Sequence, residues 1–235
     1  MSCLQRRFIC WDLDETLGRF RPEDEVRGTL RGLTPLLEGL GQNGCRHVIT
    51  TASAAEYADY VLRKSGIRDQ FEAIFDCAIL CQGESNKRYV PVAKHLGIAD
   101  EEMIDRMIVV GNHELDIPDD IDLVTVLYRY AVYHDARVLD ILFSVLLSSD
   151  SWDEGYRRLL QACTDIHRHE YFDGGIISLD GGIKLYVGNL MPNPEMRENE
   201  RFILVSEIPT RYVAELEPAH YTFDELPLVT SNVQN

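Results

Sequence analysis

Phe8-Ile9-Cys10-Trp11-Asp12-Leu13-Asp14-Glu15-Thr16-Leu17 is the stretch on which the fold turns. Its first four residues are a short apolar run bounded by polar ones, which fits a buried strand of a covered parallel sheet. On an extended chain Asp12 and Asp14 share a face, while Leu13 points away into packing. Side chains at the carboxyl end of such a strand face the ligand crevice. The pair therefore suggests a carboxylate nucleophile with its own general acid. The competing reading is a helix N-terminus, where acidic residues favour the positive end of the dipole.

Two carboxylates this close repel each other unless positive charge sits beside them, and a hard divalent cation is the usual solution. Bound Mg²⁺ is the expectation.

Asp12-Leu13-Asp14-Glu15-Thr16-Leu17 resembles motif I of the haloacid dehalogenase (HAD) superfamily, in the wording of its FCP/small-CTD-type phosphatase branch. Cys45 to Asp59 resembles the second motif of that branch, a strand ending in Thr51-Ala52-Ser53 and then a helix that includes Tyr57-Ala58-Asp59. The resemblance covers roughly the first 130 residues, with the motifs in order. It implies that Thr51 offers its hydroxyl to a phosphoryl oxygen and that a helix beginning near Ala52 adds backbone N–H donors. Thr50 takes the hydroxyl role if the strand register differs by one. Ser53 is read as the helix N-cap.

A cation is needed where charge builds on the transferring phosphoryl group. Lys87 fits the third motif better than Lys94, because it precedes the helix-like run Val90 to Leu96 and can reach back to the carboxyl edge of the sheet. Lys94 lies within that run, where a solvated face is the expectation. The fourth motif is Met107 to Asp116, an apolar strand that ends in Asn112 where many HAD phosphatases have an acid. FCP-like members often place an Asn there as a metal ligand. Asn112 is thus an expected ligand of Mg²⁺ with Asp12 and Asp14, and Asp116 the outer partner that holds a metal-bound water or Lys87. His113 and Glu114 read as loop residues.

The chain has 235 residues and a formal charge of −16, shared between 15 Lys/Arg against 22 Asp/Glu in residues 1–134 and 8 against 17 in residues 135–235. No basic stripe is available for a phosphate backbone, so no nucleic-acid partner is expected. Acidic substrates are repelled at long range, but Lys87, the metal and the helix N-terminus outweigh that at contact distance. No signal-peptide-like stretch and no apolar run of membrane length is present, so the expectation is a soluble, cytoplasmic protein with no membrane partner. Six cysteines without CxxC spacing read as reduced thiols, with Cys77 and Cys81 as a bare CxxxC.

Strands near 7–12, 46–50, 106–110 and 122–127 alternate with helices near 33–42, 54–65 and 88–97, the pattern of a doubly wound sheet. The spacings between motifs leave no room for a large cap, so an open site is expected to admit bulky substrates, phosphoproteins included. Gly18 to Thr29 reads as a short flap, with Arg19 and Arg21 as possible substrate contacts.

Beyond residue 134 the resemblance stops. Helices are expected over 135–147 and 153–169, then a hairpin over 176–187 turning at Asp180-Gly181-Gly182, and strands over 202–208 and 211–216. His167 and His169 read as solvated residues near a helix end.

The combined expectation is a doubly wound (Rossmann-like) α/β HAD core over 1–134 and an α+β C-terminal extension over 135–235. The extension would cover the site, bind a partner or form a homo-oligomer surface. The expected function is a Mg²⁺-dependent phosphatase acting on a phosphorylated small molecule or protein through an aspartyl-phosphate. The alternative is a non-catalytic HAD-like binding or assembly module.

Overall fold

In the computed structural model the described residues are 6–20, 29–81, 86–127, 136–161, 165–169, 172–179, 183–190 and 202–206. The run before Asp12 forms β1 (Arg7–Trp11), which pairs in parallel with β2 (Cys45–Thr50) on one side and β4 (Met107–Gly111) on the other. β3 (Phe71–Phe75) pairs with β2, and β5 (Val124–Leu127) with β4, again in parallel. The order of the parallel part is therefore β3-β2-β1-β4-β5.

The period of two along β1 divides the core. Ile9 and Trp11 pack with α1 (Leu33–Gln42), α2 (Ala55–Lys64) and two later helices, α6 (Arg137–Leu146) and α7 (Trp152–Gln161). Phe8 and Cys10 face the opposite cluster, built on α3 (Cys77–Leu80), α4 (Val90–Leu96) and α5 (Met103–Arg106). A strand covered on both faces has no polar side to show, which is why β1 and β4 read as unbroken apolar runs.

The chain after residue 134 joins this architecture. Leu139, Leu142 and Phe143 of α6 and Trp152, Tyr156 and Leu159 of α7 are buried in the cluster that holds Trp11. The Phe143 ring sits 5.9 Å from Trp11 on one side and 5.9 Å from Trp152 on the other. β9 (Phe202–Ser206) pairs antiparallel with β5, and β8 (Ile183–Leu190), β7 (Phe172–Leu179) and β6 (Asp165–His169) follow outward. Among the described residues, nine strands make one sheet.

The helix expected over 153–169 ends at Gln161, and residues 165–169 form a strand instead. One isoleucine among polar residues satisfies either period, and antiparallel pairing with β7 decides for the strand. His167 and His169 accordingly lie on an edge strand rather than at a helix end. β7 and β8 form the expected hairpin, longer than the sequence suggested. Its turn at 180–182 and the strand expected over 211–216 lie outside the described residues, as do Arg21 and most of the flap.

A buried polar chain links β1 through β2 to α1. Trp11 Nε1 donates to His47 Nδ1 at 3.1 Å, so the imidazole proton sits on Nε2 and is donated to Leu37 O at 3.0 Å. Burial pushes the His47 pKa down from 6.5 to about 4, against the smaller opposing effect of the Leu37 carbonyl. The unfolded chain therefore binds a proton between these values that the folded chain refuses, and stability present above pH 6.5 drains away as pH falls through 4. Across that window the stability of the wild type over His47→Gln should shrink by about 3 kcal/mol, measured by urea unfolding at pH 7 and pH 4. A pH-independent difference would show that His47 is not held neutral.

Candidate active site

The order β3-β2-β1-β4-β5 reverses direction at β1, where the chain passes to β2 on one side and later to β4 on the other. A crevice opens outside the carboxyl ends of strands at such a point. Asp12 follows β1 there, with its backbone N–H donated to Val110 O at 2.7 Å. Thr50 ends β2 and Thr51 follows it, and Asn112 follows β4.

Lys87 reaches this edge from the segment ahead of α4. Its ammonium lies 2.6 Å from Asp12 Oδ1, 2.5 Å from Asp116 Oδ1 and 2.8 Å from Thr50 O. The three charged residues are buried, with 4% of Lys87, 7% of Asp12 and 3% of Asp116 exposed. Lys94 is exposed on α4, away from this cluster. Thr16 Oγ1 donates to Asp12 Oδ2 at 3.1 Å.

Asp116 is itself fixed by the chain. Its Oδ2 accepts from the backbone N–H groups of Asn112 at 2.9 Å and His113 at 3.0 Å. Gly111 leaves room for this, since a Cβ there would overlap the Asp116 side chain. Asp120 meets the backbone N–H groups of Tyr89 at 2.9 Å and Val90 at 3.0 Å, which caps α4 and anchors the segment carrying Lys87.

Asp14 turns the other way. Its carboxyl oxygens lie 3.2 Å from Ser53 Oγ, which donates to Oδ2, and 3.2 Å from Tyr57 OH, whose proton Oδ1 shares with Phe20 O. The expected N-cap role of Ser53 is corrected here, because α2 begins one residue later, with Ala54 as its N-cap and no side-chain cap. The Ser53 N–H is instead donated to Thr51 Oγ1 at 3.1 Å. Thr51 is buried, Ala52 exposed, and Thr50 Oγ1 lies 3.5 Å from Tyr89 OH. Arg19 pairs with Glu15 at 3.0 Å, and Glu15 carries a φ of 60° in the tight turn closed by its N–H to Gly18 O.

Electrostatics follow from one ammonium set against two buried carboxylates. Burial pushes Asp12 up to about 6; Lys87 opposes that shift and Asp116 adds to it. Lys87 is held above its ordinary value because Asp12 and Asp116 together outweigh the opposing effect of burial, which is the largest single contribution. Burial also raises Asp14. The surplus of buried negative charge beside Lys87 is compatible with a hard divalent cation. Among the described residues no cluster of three or more His, Cys, Asp or Glu is arranged to hold a metal.

Several participants were not singled out by sequence: Thr16, Tyr57, Gly111 and Asp120. Thr16 and Tyr57 lie inside the quoted motifs, and Gly111 ends the fourth-motif strand. Asp120 gives no local signal, since it caps a helix 30 residues upstream.

No family model and no curated protein matches this chain. Solved structures share part of it. An uncharacterized protein from Listeria monocytogenes serotype 4b is 24% identical over 45% of this chain and 67% of that one, with a TM-score of 0.37. A haloacid dehalogenase-like family hydrolase from Streptococcus pneumoniae is 14% identical over 48% and 78%, with a TM-score of 0.37. The 3-deoxy-D-manno-octulosonate 8-phosphate phosphatase from Moraxella catarrhalis, crystallised with magnesium, phosphate and KDO, is 17% identical over 55% and 64%, with a TM-score of 0.33. No helix among the described residues is long and apolar enough to cross a membrane.

Removing the Lys87 ammonium strands two buried carboxylates. Lys87→Met should destabilise the protein by about 3–5 kcal/mol at pH 7.5. The loss should narrow as pH falls toward 5, because protonation relieves Asp12, whose carboxyl burial has already pushed up to about 6. Urea unfolding across that range measures both; a loss independent of pH would mean that packing, not charge, holds Lys87.

Proposed function

We propose that this chain is a phosphatase of the HAD superfamily that works through an aspartyl-phosphate on Asp12 and uses Mg²⁺. The observation that carries the reading is the placement of Asp12 at the switch point of the sheet, in contact with Lys87, with Asp14 two residues on and held apart from that ion cluster. The motif resemblance supports the same assignment.

In the first step an Asp12 carboxylate oxygen attacks phosphorus in line, the bond to the ester oxygen breaks, and Asp14 protonates the departing oxygen. In the second, Asp14 takes a proton from water, which attacks the same phosphorus; the bond to Asp12 breaks and phosphate leaves. Lys87 steadies negative charge on the equatorial oxygens. Thr51 and the backbone from Ala52 toward the start of α2 meet the same oxygens. A Mg²⁺ bound by the Asp12 carboxylate, the Asp14 backbone carbonyl and the Asn112 side chain would supply further charge neutralisation there. Asp116 pairs with Lys87 and accepts from the backbone N–H groups of Asn112 and His113, and so holds Lys87 and the Asn112 loop in place.

The short spacings between the motifs leave no room for a large cap, which suits a bulky phosphorylated substrate, a phosphoprotein among them. Comparing phosphopeptides with small phosphate esters tests that extension.

Asp12→Asn should cut Mg²⁺-dependent hydrolysis of an aryl phosphate by ~10³-fold or more while leaving the melting temperature close to wild type. Near wild-type turnover would sink the covalent mechanism. Mg²⁺ should raise the wild-type melting temperature, and Asn112→Ala should shrink that shift while raising the Mg²⁺ needed for half-maximal rate. An undiminished shift would remove Asn112 from the ligand set.

A further inference from the structure

We infer that Tyr57 is a positioning residue, whose phenol, with the Ser53 hydroxyl, holds the Asp14 carboxyl in the orientation that serves the leaving group. The inference rests on the phosphatase reading above and deepens it.

A carboxyl group on a short side chain turns freely about its last bond, and a general acid that turns freely delivers its proton only in a fraction of encounters. Here both Asp14 oxygens are met, Oδ1 by Tyr57 OH and Oδ2 by Ser53 Oγ, each at 3.2 Å. The two hydroxyls come from one short segment, residues 53–57, that also carries the first turn of α2. Asp14 is therefore gripped by an element separate from the strand that presents it.

Tyr57 is fixed at both ends. Its ring packs against the cluster holding Trp11 and Leu13, and its hydroxyl lies 2.5 Å from Phe20 O. Its one proton is shared unequally between that carbonyl and Asp14 Oδ1. A tyrosine present only for packing would be satisfied by the carbonyl; the longer arm, to Asp14, is what packing does not require. Beside it opens a cavity of about 430 Å³ lined by Asp14, Glu15, Phe20, Ser53, Ala54 and Tyr57. This space adjoins the acid, and the departing half of an ester has room there while its phosphoryl group meets Asp12.

The test is Tyr57→Phe, which keeps the ring. The readout is kcat/KM, which reports the first step alone and not the later hydrolysis in which Asp14 acts as base. With an alkyl phosphate, whose leaving oxygen needs a proton, kcat/KM should fall about 10- to 100-fold. With p-nitrophenyl phosphate, whose leaving group departs without one, it should change less than about threefold. The melting temperature should stay near wild type, and in an Asp14→Asn background Tyr57→Phe should add nothing. Equal losses on both substrates, or a further loss in that background, would overturn the inference. An infrared difference spectrum between wild type and Asp14→Asn isolates the Asp14 carboxyl band, which Tyr57→Phe should shift or broaden. An unmoved band overturns the role of Tyr57 whatever turnover does. A moved band in a wild type that hydrolyses neither ester supports Tyr57 as the holder of Asp14 and overturns the phosphatase reading instead.

Discussion

The ammonium of Lys87, buried between Asp12 and Asp116, is the contact on which the upper edge of the sheet depends. Taking an ammonium and two carboxylates out of water is costly, and their attraction repays that only with good geometry and further hydrogen bonds. The chain supplies them: Thr50 O takes another Lys87 proton, Thr16 meets Asp12, and the amides of Asn112 and His113 meet Asp116. Through one nitrogen the ends of β1 and β2 and the loop after β4 are fixed relative to each other.

Around that contact the local choices agree. Gly111 is small because Asp116 folds back over it, and Asp120 caps α4 so that the turn before it delivers Lys87 rather than fraying. Asp14 is kept out of the ion cluster by hydroxyls from α2 and the turn before it. Two acids two residues apart thus sit in different surroundings, which is the condition for giving them different chemical roles.

The core was legible because a doubly covered strand has a distinctive composition. Phe8 to Trp11 and Met107 to Val110 could be read as buried strands from apolarity alone, and the helices after them from their period. β3 was not legible: Phe71-Glu72-Ala73-Ile74-Phe75 is an edge of the sheet with mixed exposure, and its five residues carry neither an unbroken apolar run nor a clean alternation. In the site, Asp12, Lys87 and Asp116 could be named because each ends or follows a patterned segment. The choice between Lys87 and Lys94 needed the path of residues 86–89, which depends on Asp120 across the crevice. The helix after Asp153 ran too long on paper because Ile166 fits helical spacing from Tyr156, and only pairing with β7 separates the two.

The junction of β5 with β9 bears on how the chain reaches this state. β5 is the last parallel strand, and its free side is covered by residues about 80 positions later, with Val126 beside Val205. Closing a loop of that length is entropically slow compared with pairing neighbours. During synthesis the parallel sheet therefore exists for a time with a valine-rich edge uncovered, a template for pairing with another chain. The stretch from Phe202 to Ser206 acts as an internal guard against self-association, and among the described strands it is the last to be made.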